Sequence, residues 1–104
     1  MAHARPQERV SEQQRLVARV VGRVQAVGFR WWTLRQATAL GLTGWVMNGA
    51  DERTVELVAE GAADALDELE LRLRHGPSGA RVESVEATRA PASGEFGRFE
   101  ITRQ

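Results

Sequence analysis

Residues 54–75 read TVELVAEGAADALDELELRLRH, and the fold turns on the change of period inside that stretch. In Thr54 to Glu60 the apolar residues Val55, Leu57 and Ala59 alternate, which puts them on one face of an extended strand. From Ala62 to His75 the spacing changes to Ala62, Leu66, Leu69 and Leu73, the spacing of one helical face. Asp64 suits the positive end of that helix dipole and Arg72 and Arg74 suit the negative end, while Gly76-Pro77 stops the helix.

Working outward, Leu16 to Val21 (LVARVV) is β-branched and short enough for a strand. Arg30 to Leu40 is rich in helix formers, lacks Pro, and ends at Gly41. Gly44 to Met47 predicts another strand, joined to Thr54–Glu60 by a hairpin through Ala50-Asp51-Glu52-Arg53. Arg81 to Thr88 predicts a strand in which the Val82, Val85 spacing breaks alternation and signals a bulge. Phe96 to Thr102 predicts the last strand. The order β-α-β-β-α-β, plus one terminal strand, implies an α+β ferredoxin-like sandwich. Two helices lie on one face of a mostly antiparallel sheet of four to five strands. Residues 1–14 are polar and aperiodic, so a flexible N-terminal tail is expected there, with one domain over 15–104.

Composition narrows the chemistry. There is no cysteine, which excludes disulfides and thiolate nucleophiles or ligands. All fourteen basic residues are Arg, which excludes Schiff-base lysine chemistry. The formal net charge of zero lacks the electrostatic footprint of a nucleic-acid or anionic-membrane binder, and no apolar run could span a bilayer. A cytoplasmic monomer that binds neither nucleic acid nor membrane is the expectation. Scattered acids without clustered histidines predict no metal and no cofactor.

A fold of this kind hosts many functions, so the site must decide. Gly22-Arg23-Val24-Gln25-Ala26-Val27-Gly28-Phe29-Arg30 joins a strand to a helix. Such a loop can turn successive N–H groups toward one point, and a helix N-terminus adds partial positive charge. Arg30, in the first turn, carries a planar fork that can grip two phosphate oxygens. By itself the pattern also describes a tight turn beside a solvated arginine. Gly44-Trp45-Val46-Met47-Asn48-Gly49 is the second element. Asn48 suits a turn before Gly49, yet its amide can also donate to and accept from a water.

Together the two segments resemble the acylphosphatase family, whose signatures are written G-x-V-Q-G-V-x-F-R and G-W/Y-V-x-N. Leu40-Gly41-Leu42, Glu60-Gly61, Gly76-Pro77 and Phe99-Glu100-Ile101 fit as well, and the resemblance spans about residues 15 to 103. It implies hydrolysis of an acyl phosphate to a carboxylate and inorganic phosphate. Arg30 would bind the phosphate and Asn48 would orient the attacking water. The backbone N–H groups of Val24, Gln25, Ala26, Val27, Gly28 and Phe29 would form the cradle. Apart from the resemblance, of Trp31, Trp32 and Trp45 one or two are expected in the core, and Trp31 at the site mouth would meet the acyl group, with Val24 and Val27 bordering it.

Two positions depart from the pattern. Ala26 stands where the family has Gly, at a cost of about 1 kcal/mol or more if φ is positive and almost none if it is negative. Asp51-Glu52-Arg53 replaces a shorter Asp-Gly turn, in a loop expected to lie away from the chemistry. Two rival functions remain. A non-catalytic anion-binding module would keep the nest and Arg30. An RNA-binding sheet needs exposed aromatics on central strands, and Leu16–Val21 and Thr54–Glu60 have none.

Overall fold

The computed structural model describes residues 12–103. The elements are β1 (Gln13–Arg23), α1 (Phe29–Ala39), β2 (Thr43–Asn48), β3 (Thr54–Ala62), α2 (Ala63–His75), β4 (Arg81–Pro91) and β5 (Phe99–Ile101). The strands form one sheet in the order β4-β1-β3-β2-β5. Every neighbouring pair is antiparallel except β2 and β5, which run parallel.

Both helices cover one face of this sheet, and the core lies between. Leu16, Ala18 and Val20 of β1 and Val55, Leu57 and Ala59 of β3 point into it, as their alternation requires. Phe29 and Ala37 of α1 and Leu66, Leu69 and Leu73 of α2 meet them from the other side. Ala62, read as the first member of the α2 stripe, instead ends β3 and serves as the helix N-cap. The bulge in β4 is present. Val21 pairs with Ser84 and Gly22 with Val82, so Glu83 is the extra residue. That extra residue lets Val82 and Val85 both pack on the core.

Several boundaries differ from expectation; β3 runs on to Ala62 and β4 to Pro91. β1 begins at Gln13, inside the stretch assigned to the flexible tail, because β3 and β4 reach far enough to pair it on both sides. Gln14 faces Gly61 on one side and Pro91 on the other. The rest of the expected tail, residues 1–11, lies outside the described residues. The last strand is Phe99–Ile101, not Phe96–Thr102. Of the segment before it, the Arg98 carbonyl accepts the N–H of Gly44 at 3.0 Å, and side chains hold the rest. The buried Glu60 carboxylate accepts from the N–H of Ser93 at 2.9 Å and of Gly94 at 3.0 Å, and Arg15 stacks over the Phe96 ring at 5.4 Å. Among the described residues, no helix is long and apolar enough to cross a membrane.

Candidate active site

The β1–α1 connection is built for an unusual backbone path. Ala26 has φ 61° and Gly28 has φ 76°, so left-handed residues flank Val27. Alternating handedness of this sort curls successive N–H groups to one side and makes an anion nest. Among the described residues, the N–H groups from Gln25 to Gly28 donate to no backbone carbonyl. Gly28 is the N-cap of α1 with no side-chain cap, and its carbonyl accepts the first helical bond from the N–H of Trp32 at 2.9 Å. The helix therefore opens with unsatisfied donors beside the nest. The positive φ at Ala26 settles the alternative left open by the sequence: this alanine sits where glycine is the unstrained residue.

Asn48 ends β2, and its position is tightly set. The N–H of Gly49 donates to the carbonyl of Thr54 at 3.0 Å. A Cβ at residue 49 would collide with the Thr54 hydroxyl, so glycine is needed there for close packing. β2 runs parallel to β5, and the N–H of Thr102 bonds to the carbonyl of Val46 at 2.9 Å. The end of the chain is thereby laid beside Asn48.

The start of α1 and the end of β2 meet at a cleft of about 330 Å³ lined by Arg30, Asn48, Gly49, Thr102 and Arg103; the expected cradle residues 24–29 are not among its lining. Arg30 comes from the first turn of α1 and Asn48 from the end of β2, so the fold brings together the two predicted side chains. Thr102 and Arg103 were not singled out in the sequence. In the sequence Thr102 only closes the expected last strand and Arg103 follows it. A larger concavity, about 600 Å³, lies on the helix-free face of the sheet between Val17, Arg19, Trp45 and Glu86. It is walled by ordinary strand side chains, without a nest or a helix N-terminus, so the smaller cleft is the chemical candidate. Trp31 is 60% exposed and is absent from the cleft lining. Val24 is fully buried in the core and Val27 packs partly against it.

The β2–β3 turn does not lie away from this region. The Gln25 amide donates to the carbonyls of Asp51 at 2.8 Å and Thr54 at 2.7 Å, and the N–H of Gly22 donates to the carbonyl of Arg53 at 2.9 Å. The turn is itself braced by the Asp51 carboxylate, which accepts from the N–H of Arg53 and the hydroxyl of Thr54. Those two bonds hold the Asp51 carboxyl below its ordinary range.

Fold and site together define a ferredoxin-like α+β domain whose first β-α crossing takes left-handed backbone at Ala26 and Gly28. Comparison with known proteins gives the particular family. The family model described as Acylphosphatase matches residues 16–101. The chain is 45% identical over 91 residues to an acylphosphatase of Salinibacter ruber, covering 88% of this chain and 95% of that one. It superposes on the crystal structure of acylphosphatase from Bacillus subtilis with TM-score 0.81 and 32% identity, covering 86% of this chain and 98% of the other. An acylphosphatase structure from Coxiella burnetii gives TM-score 0.82 and 33% identity over 88% and 94% of the two chains. The chain belongs to the acylphosphatase family, and as an enzyme it is a hydrolase of acyl phosphates.

Proposed function

We propose that this protein hydrolyses acyl phosphates in the cleft between α1 and β2, with the phosphoryl group held by the N–H groups of residues 24–29 and by Arg30. The carrying observation is that Arg30 and Asn48, from separate elements, line one cleft, with Arg30 directly following the loop of residues 24–29 in the chain. The departing carboxylate has a conjugate acid of pKa about 4 to 5, so it leaves without a general acid. Phosphoryl transfer then needs positioning and charge stabilisation. The nest, the α1 N-terminus and Arg30 stabilise charge on the equatorial oxygens, and the Asn48 carboxamide holds a water in line. As water oxygen bonds to phosphorus, the bond from phosphorus to the acyl oxygen breaks and its electrons leave with the carboxylate. The water proton passes to a phosphate oxygen, so the products are the carboxylate and inorganic phosphate. No step calls for a metal or a cofactor. The same proposal makes the protein a cytoplasmic monomer acting on a small molecule, with neither nucleic acid nor membrane as partner.

The test is hydrolysis of benzoyl phosphate in EDTA by the wild type, Arg30→Ala and Asn48→Ala. Turnover that survives the chelator and collapses in both variants is expected. A folded wild type that binds phosphate but does not turn over would leave the anion-binding module in its place.

A further inference from the structure

We propose that the Gln25 side chain is a positioning residue, clamping the water-orienting strand end to the phosphate cradle. The inference rests on the proposed function and concerns how its two halves are held in register. The cradle and Arg30 belong to one continuous segment, from the end of β1 into α1. Asn48 belongs to another, the β2–β3 hairpin. The β1–β3 ladder ties the two together only as far as Val21 and Thr54. Past that point β1 continues to Arg23 against β4 alone, and the bond from Gly22 to Arg53 is the next tie to the hairpin.

The Gln25 amide reaches across from within the cradle. Both of its acceptors are main-chain carbonyls, of Asp51 and Thr54. Both contacts therefore need N–H donors, which assigns the NH₂ end of the amide and uses both of its protons. The Thr54 carbonyl also accepts the N–H of Gly49, the neighbour of Asn48. A single carbonyl oxygen thus joins the side chain of a cradle residue to the backbone beside the water-orienting amide. The Asp51 carbonyl adds a second anchor in a turn already braced by its own carboxylate. A misplacement near 1 Å between reacting groups costs on the order of a hundredfold in rate. A bond that fixes one arm of the site against the other therefore acts on turnover.

The role has a signature that a purely structural bond lacks. Cradle and Arg30 move as one body, so loosening the clamp leaves phosphate binding intact and misplaces Asn48. Gln25→Met keeps the length of the side chain and its backbone N–H but removes both donors. Its kcat for benzoyl phosphate is expected to fall roughly tenfold or more. The constant for competitive inhibition by inorganic phosphate should stay within about twofold of the wild type. In an Asn48→Ala background the same substitution should cost almost nothing further, because the group it positions is gone. An unchanged kcat, a parallel loss of phosphate affinity, or a full additional penalty on top of Asn48→Ala would each overturn the proposal. Gln25→Glu, similar in length but without donors when ionised, repeats the test if the methionine variant does not fold. Failure of both to fold would make Gln25 a folding residue and end the proposal. Arg30→Ala and Asn48→Ala run beside them separate the two ideas. Retained turnover there sinks the proposed function, whereas their collapse beside an unimpaired Gln25→Met sinks the clamp alone.

Discussion

The chain crosses from strand to helix on the same side of the sheet twice, and the two crossings are built to opposite ends. From β3 to α2 there is no loop: the strand ends at Ala62 and the helix begins at Ala63. From β1 to α1 the chain spends residues 24–28 on a path with left-handed residues at Ala26 and Gly28. The helices that follow differ in the same sense. α2 carries Asp64 in its first turn and Arg72, Arg74 and His75 in its last, each sign matched to the dipole. α1 has no acid in its first turn and no base in its last, and it places Arg30 at its positive end. α2 buries Leu66, Leu69 and Leu73, whereas α1 buries Phe29, Thr33 and Ala37. One crossing is arranged for stability. The other carries backbone strain and like charge at a helix terminus, the arrangement that an incoming anion relieves. The proposed anion site therefore coincides with the difference between two copies of one motif.

The sharpest break of this comparison is a pair of substitutions, one in each half. Arg30→Ala should lower kcat/KM for benzoyl phosphate on the order of a thousandfold, the scale of a lost charge-stabilising donor. Its melting temperature should hold or rise slightly, because a cation leaves the positive end of α1. Leu66→Ala should do the reverse. Denaturant unfolding should show a loss of about 2–5 kcal/mol for a fully buried leucine, while turnover per folded molecule at low temperature stays near wild type. Equal effects of both substitutions on both quantities would erase the distinction between the halves.

Glu60, at the end of β3 where α2 begins, tests the stabilising half through pH. Burial alone would raise its carboxyl. The N–H of Ser93, the guanidinium of Arg15, the N–H of Gly94 and the hydroxyl of Ser93 outweigh burial and bring it down to about 2. A folded-state value below the unfolded one means stability fully present above the unfolded pKa, near 4.5, and lost as pH falls toward 2. Glu60→Gln should remove that part of the acid sensitivity and cost roughly 1–3 kcal/mol at neutral pH, since a charged acceptor becomes an amide. Acid unfolding curves of the two proteins that stay parallel down to pH 2 would refute it.

The smallest expected effect falls on the strained crossing. Ala26→Gly removes a Cβ from a residue at φ 61°. The relief of about 1–2 kcal/mol is partly offset by the added freedom of glycine in the unfolded chain. A net gain from a few tenths to about 1 kcal/mol in chemical denaturation is expected. A loss of stability would show that the alanine is accommodated without strain.

Short-range order was legible before any coordinates. Val55, Leu57 and Ala59 announce a face by alternation, Leu66, Leu69 and Leu73 announce another by helical spacing, and Val82 with Val85 announce the bulge, because each signal is carried by side chains within a turn or two of one another. The pairing of Arg30 with Asn48 was also anticipated, through two motifs in a recognisable order. What could not be read locally depends on surfaces far apart in the chain. Polar Gln13 and Gln14 become strand because β3 pairs with both and β4 with Gln14. Phe96 and Gly97 lie outside the ladder, while Ser93 and Gly94 just before them turn to a carboxylate on another strand. The Asp51 turn, expected to be remote, lies within reach of Gln25 in the cradle. Thr102 and Arg103 enter the cleft through the parallel pairing of β5 with β2. The handedness of Ala26 belongs with these, since a lone alanine prefers negative φ and takes the other well where its surroundings over-determine it. Periodicity thus located the elements and their order, since neighbours along the chain carry that information, and the resemblance of the two motifs implied the family. The register of the arms, the lining of the cleft and the strain in its loop arose on packing, because distant backbone donors and acceptors find their partners only once the sheet has formed.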